Sequence, residues 1–334
     1  MPANFTSGFS TVPMWHGLGN IIDTAPTSMS QALKLGGMDW EVIERPAMFL
    51  GTDNQLHLAE GLKALVRSDN GELLSMQNNS WEVVQNQAAF AFFEPLINSG
   101  KLELQTGVCL KGGRQIALTG KIKGSVGDVV SNDPVESFLV LYNAHDGSLC
   151  LGVQFSNTRV VCSNTLSVVV GQGRGTTLRK GSNMAVSGKT VKLRHTRSIH
   201  DNLEDLQEII NLQSATFDVA MHEYKQMVKV RVDSKNVIKV FSRTFEVEEK
   251  DVMRHRNYEP ILKNFEAGVG MDIPGVSGTG WALYNAFTEF TSHGRSSRGE
   301  TDSDKMRSRF SSLYFGDSAA VNERAHKAIL ALAV

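Results

Sequence analysis

The sequence predicts an α+β fold: antiparallel β-hairpins packed on a long helix, with an irregular N-terminal region and C-terminal helices. Three observations carry this. Alternating segments flank Lys111-Gly112-Gly113 and a turn ending in Asp146-Gly147, as hairpin strands do. A helical apolar stripe runs from Leu203 to Met227. Helix-period segments then recur toward the C-terminus. A chain of 334 residues with 41% hydrophobic and 21% charged residues is long enough and ordinary enough to bury a core.

In chain order, residues 1–85 read as an N-terminal region of short elements. Thr27 to Leu35 reads as a helix capped by Thr27 or Ser28. Trp40 to Ile43 alternates like a strand, Pro46 follows, and Ser68-Asp69-Asn70-Gly71 reads as a turn. Residues 86–250 form the expected core. A helix from Gln85 to Ile97 is stopped by Gly100. Strands Leu102–Leu110 and Arg114–Ile122 make one hairpin, and Phe138–Tyr142 and Leu149–Phe155 a second. Arg159 to Val170 fits either a strand or a buried helix. Gly171 to Ser182 reads as a glycine-rich basic loop, and Lys189 to His195 as an exposed strand. Ser198 then caps the long helix, with Asp201 in a capping-box position. Residues 251–334 are read as a helical region: a glycine-rich linker from Gly268 to Gly280, a helix Trp281–Ser292, a polar segment Ser292–Asp304, and an amphipathic helix Ala319–Ala333.

The net charge of −1 argues against a nucleic-acid partner, but it hides a segregation. Gly147 to His200 contains no acidic residue, whereas an even spread of the 35 acidic residues would place five or six there. The stretch carries Arg159, Arg174, Arg179, Lys180, Lys189, Lys192, Arg194 and Arg197. Such a run often marks only a solvated face. Here it persists through strand-like, loop and helix-approach sequence, which favours a groove for a phosphate backbone. Lys111, Arg114, Lys121 and Lys123 on the first hairpin are placed to extend it.

No catalytic constellation accompanies the charge. Gly171-x-Gly173-x-Gly175 lacks the Gly-Lys-Ser/Thr of a P-loop and the spacing of a dinucleotide fingerprint. His222-Glu223 lacks the second histidine of a zinc protease. Cys109, Cys150 and Cys162 are too dispersed for a structural zinc and read as free thiols of a reducing compartment. No apolar run reaches membrane-span length. The expectation is a cytoplasmic protein without a bound metal or cofactor.

Several short motifs resemble one family: Trp15-His16-Gly17-Leu18-Gly19, Trp40-Glu41-Val42, Arg67-Ser68-Asp69, Gly127-Asp128, His145-Asp146-Gly147-Ser148, Arg159-Val160-Val161-Cys162-Ser163-Asn164-Thr165, Arg194-His195-Thr196, and Trp281 with Asn285, Thr288-Glu289 and His293. They resemble the phage/plasmid-like proteins of unknown function, over nearly the whole chain. That resemblance implies a setting of mobile DNA in a bacterial host and supplies no activity. A weaker, fold-level likeness is to the Rad52-like single-strand annealing proteins. It implies ATP-independent binding and annealing of single-stranded DNA in recombination, by a homo-oligomeric ring or filament, with a phage exonuclease or a single-strand-binding protein as further partners. The alternatives are a metal-dependent nuclease whose carboxylates meet only in the fold, and a non-enzymatic protein that binds a host factor.

Overall fold

The computed structural model describes residues 5–11, 20–161, 213–298 and 316–333, with 164–166, 176–177, 184–187, 190–193, 195, 305, 308–309 and 312–313. Its centre is a ten-stranded, mostly antiparallel sheet. In chain order the strands are β1 (Phe5–Ser10), β2 (Asn20–Ile21), β6 (Leu102–Leu110), β7 (Gln115–Asp128), β8 (Pro134–Ala144), β9 (Leu151–Arg159), β10 (Asn164–Leu166), β11 (Thr176–Thr177), β12 (Met184–Ser187) and β13 (Thr190–Leu193). Across the sheet they run β11-β12-β13-β9-β8-β7-β6-β1-β2. The far edge of β9 is divided: β13 pairs with Leu151 to Gln154, and β10 pairs with Asn157 to Arg159.

Period-2 alternation explains the sheet. Ile116, Leu118 and Ile122 of β7, Leu139 and Leu141 of β8, and Leu151, Val153 and Phe155 of β9 enter one core. The same core takes Phe9, Met29, Leu33, Trp40, Phe90 and Phe93, so it unites residues on both sides of position 85. On the opposite face Val108, Leu110, Ala117 and Tyr142 form a smaller cluster.

The hairpin readings match the registers, since Leu110 lies opposite Gln115 and Tyr142 opposite Gly152. The N-terminal reading needs correction. Residues that looked irregular form a separate three-stranded sheet of β3 (Val42–Leu50), β4 (Leu56–Arg67) and β5 (Leu73–Asn78). Pro46 does not end β3, because it lies on a strand at the edge of that sheet, where its missing N–H is tolerated. The register shifts beside it. The helix expected over Gln85 to Ile97 is broken into α2 (Asn86–Phe90), a 3-10 turn Ala91–Phe93 and α3 (Glu94–Asn98). Pro95 opens α3, and its ring cannot occupy the interior of one continuous helix. The first helix α1 (Met29–Leu35) is as expected, with the Ser28 hydroxyl accepting from the Gln31 N–H.

A second core gathers α4 (Gln213–Lys229), α5 (Ser234–Phe245), α6 (Tyr258–Ala267), α7 (Gly280–Glu289) and α8 (Asp317–Leu330). Its members lie on both sides of position 250, and Val135 of β8 and Val129 of the β7–β8 turn join it. Every residue of α7 from Gly280 to Thr288 is buried, so this helix is the hub of the layer. Of the long-helix stripe, Phe217, Ala220, Tyr224 and Met227 enter this core; Ser198 to Asn211 lies outside the described residues. The helix packs chiefly with other helices and meets the sheet near Gly127 and Asn157. Gly268 to Gly280 is no loose linker: Met271 and Val276 are buried in the core. Among the described residues, no helix is long and apolar enough to cross a membrane.

Candidate anion-binding cleft

Arg159 is the one cation of the acid-free stretch whose side chain is described, and it departs from expectation. It is fully buried at the end of β9. Its Nε and Nη2 donate to Asp133 Oδ1 and Oδ2 at 2.6 and 2.9 Å. Nη1 donates to the Val269 carbonyl at 3.1 Å and Nη2 to that of Gly270 at 3.2 Å. Trp281 Nε1 donates to Asp133 Oδ2 at 2.8 Å. The guanidinium also lies 5.7 Å from the Trp281 ring centre. Asp133 sits in the β7–β8 turn, so this network ties the sheet to the helical layer. A buried bidentate pair with its remaining donors satisfied is a structural lock and not a phosphate contact. Arg159 is therefore withdrawn from the expected nucleic-acid groove.

The other members divide. Arg174, Arg179, Lys180, Lys189, Arg194 and Arg197 lie outside the described residues. Lys192 lies on β13 opposite Gly152. The hairpin cations are partly engaged. Lys121 pairs with Glu136 at 2.6 Å and Lys123 with Glu103 at 3.3 Å. Arg114 donates to the Leu73 carbonyl at 3.2 Å, whereas Lys111 stands 4.0 Å from Asp146.

Lys111 belongs to a different concentration of positive charge. It and Gln115 form one wall of a cleft of about 1150 Å³. The remaining described lining comes from the helical layer and includes Arg256, Arg295, Arg298, Arg309 and, among the described residues, a single carboxylate, Asp317. Ser296, Ser297, Ser308, Ser312 and Ser318 add hydroxyl groups.

Local sequence explains the arrangement. After α7 the chain makes a π-turn, Phe290–Gly294, and leaves it extended at Arg295. Arg295 Nη1 donates to the Ser318 hydroxyl at 3.3 Å, and its Nη2 stands 3.7 Å from Asp317. Arg309 Nε donates to the Ser297 hydroxyl at 3.3 Å and Nη2 to the Arg295 carbonyl at 3.3 Å. Ser312 bonds the Ser318 hydroxyl at 2.8 Å and accepts from its N–H at 3.1 Å. Helix α8 starts here at Gly316, without a side-chain cap, so its positive dipole end faces the same space. Arg256 and Arg298 are exposed. Beside Arg256, burial and then the arginine charge hold His255 below the usual histidine value.

Such a surface offers forked guanidinium donors and hydroxyls to an extended anion. Among the described lining residues Phe290 is the only aromatic ring, and it is itself buried. The site was missed in the sequence because Glu300, Asp302 and Asp304 share its window and cancel the charge. The alternation of Arg with Ser from Arg295 to Ser312 was the signal available.

His145 and His195 are packed into the fold. His145 bonds Asn86 Oδ1 at 2.9 Å and meets Trp40 edge-on; burial, then the nearby His195, pushes it down to about 3. His195 stacks on Trp81 at 4.3 Å between ring centres, and its Nδ1 is 3.0 Å from the Glu82 carbonyl. Cys109 is buried, which pushes its thiol up to about 11. Among the described residues, no three His, Cys, Asp or Glu side chains converge as a metal site.

Fold and cleft together define a two-layer α+β protein with a basic, hydroxyl-rich cleft where the layers meet. A family model described as a domain of unknown function (DUF932) matches residues 73–314, and the chain belongs to that family. No curated protein and no solved structure matches it.

Proposed function

We propose that the protein binds single-stranded DNA by its phosphate backbone along the basic cleft and promotes strand annealing without ATP. One observation supports the reading: among the described residues, five cationic side chains, one carboxylate and five serines line a single cleft. Annealing leaves the bases unstacked and free to pair with a second strand, so a grip on the backbone by these cations and hydroxyls suits it. The cations of Gly147 to His200 other than Arg159 remain part of this reading as an extension of the track. A Rad52-like mode of action, in recombination of mobile DNA, is the cellular role that fits.

The test is a pair of assays. Anisotropy of a labelled single-stranded oligonucleotide should show binding that falls steeply between 50 and 200 mM salt, by orders of magnitude if several phosphates are neutralised. Quenching between complementary strands should show annealing with no nucleotide added. Binding unchanged by salt, or no acceleration of annealing, would overturn the proposal.

A further inference from the structure

We infer that Asp317 is a release residue of the basic cleft: a resident carboxylate that competes with a bound phosphate for Arg295 and keeps the grip on an anion reversible. The inference deepens the DNA reading and rests on the cleft being its anion site. Arg295 is set in place before any anion arrives. Its N–H donates to the Phe290 carbonyl at 2.6 Å, its carbonyl accepts from Arg309 Nη2 at 3.3 Å, and its Nη1 donates to the Ser318 hydroxyl at 3.3 Å. Its side chain is 29% exposed and lines the cleft. A guanidinium held this way meets a phosphate without first having to be ordered.

Asp317 is held less firmly than other carboxylates that face cations. Asp133 has both oxygens bonded to buried Arg159. Asp146, 4.0 Å from Lys111, accepts from the Ser148 N–H at 3.0 Å within its own turn. Asp317 is different. Its side chain is 88% exposed, and its Oδ2 stands 3.7 Å from Arg295 Nη2, beyond hydrogen-bond reach. An exposed pair of this kind contributes little to stability. The arginine is therefore the fixed partner and the carboxylate the movable one.

A phosphate oxygen closes on a guanidinium to about 2.7–2.9 Å. It displaces a carboxylate that stands off at 3.7 Å, and Asp317 swings into solvent. When the phosphate lifts away, the carboxylate takes its place beside Arg295. Differences of this kind between variants of one site fall mainly on the dissociation rate. Annealing benefits, because the joined strands must leave the protein. Asp317 also lies in the first turn of α8, where a negative charge complements the helix dipole. That structural role makes the contrary prediction: loss of the charge would loosen the helix start and would not tighten binding.

The test uses two probes on the full chain at low salt: anisotropy of a labelled single-stranded oligonucleotide, and calorimetry with inorganic tripolyphosphate. Asp317→Asn should tighten both by about three- to fivefold. The oligonucleotide should dissociate more slowly, and the gain should shrink as salt is raised. Asp317→Glu keeps the charge and should bind as the wild type does. So should Glu323→Gln, which removes a carboxylate of the same helix outside the described lining of the cleft. Unchanged or weaker binding by Asp317→Asn, or an equal gain from Glu323→Gln, would overturn the inference; a wild type that binds the oligonucleotide would leave the DNA reading standing. Tighter tripolyphosphate binding by Asp317→Asn with no oligonucleotide held would keep the inference and remove the DNA reading. A chain that holds neither probe overturns both.

Discussion

Arg159 and Arg298 carry the same side chain into opposite circumstances. Arg159 is buried where the sheet meets the helices, held by both oxygens of Asp133 and two backbone carbonyls. Arg298 is exposed in a cleft whose described lining has one carboxylate and five cations. The first has its electrostatic needs met inside the fold and contributes only if the fold stays closed around it. The second has charge to offer a ligand. Counting basic residues along the chain treats the two alike; burial and partners separate them.

The lock should break hardest. Asp133→Ala or Arg159→Ala leaves one buried charge without its partner, which costs about 3–5 kcal/mol. Chemical denaturation should show that loss, and an unfolding midpoint close to wild type would refute the structural role. Gly270→Ala is a gentler probe of the same place. Gly270 has φ of +76°, and a Cβ there would lie 2.8 Å from Arg159 Nη2. A loss of about 1–3 kcal/mol is expected.

The buried histidine gives the next effect, and it has a sign. His145 is held neutral down to about 3 in the fold, while the unfolded chain protonates it near the ordinary histidine value of 6.5. Its contribution is therefore fully present above about pH 6.5 and is lost progressively as pH falls toward 3. Between pH 7 and pH 5 this one group should remove about 2 kcal/mol. Denaturation at the two pH values should show a smaller difference for His145→Gln. An equal difference would remove His145 from the account.

The cleft should behave differently from the lock. Arg256→Ala with Arg298→Ala should weaken oligonucleotide binding by about tenfold or more, with stability changed by less than about 1 kcal/mol, as for other exposed sites. The smallest effect belongs to Lys121→Ala. Its Nζ is already paired with Glu136 at 2.6 Å. Stability should fall by less than about 1 kcal/mol, and affinity should not move.

These contrasts also show what was legible beforehand. Both hairpins of the main sheet were, because Lys111-Gly112-Gly113 and Asp146-Gly147 supply left-handed turn residues between alternating strands. The cap at Ser28 and the stripe through Tyr224 were legible for equally local reasons. The sheet β3–β5 was not. Pro46 signalled an end to β3, and exposed Leu and Met on both sides of the hairpin blurred the alternation. Nor was the lock, since Asp133, Arg159 and Trp281 are far apart in sequence and only the fold brings them together. The cleft was half visible: Lys111 was singled out, but Arg295, Arg298 and Arg309 were hidden in a window balanced by acidic residues.

The salt dependence of oligonucleotide binding, compared between the wild type and the Arg256→Ala, Arg298→Ala variant, tests the central claim most directly. Each phosphate contact on a single strand contributes about 0.7 to the slope of log affinity against log salt. The wild type should show a steep slope, and the variant one shallower by about 1 to 1.5. Two parallel lines would contradict the assignment of the cleft as the site that holds the DNA backbone.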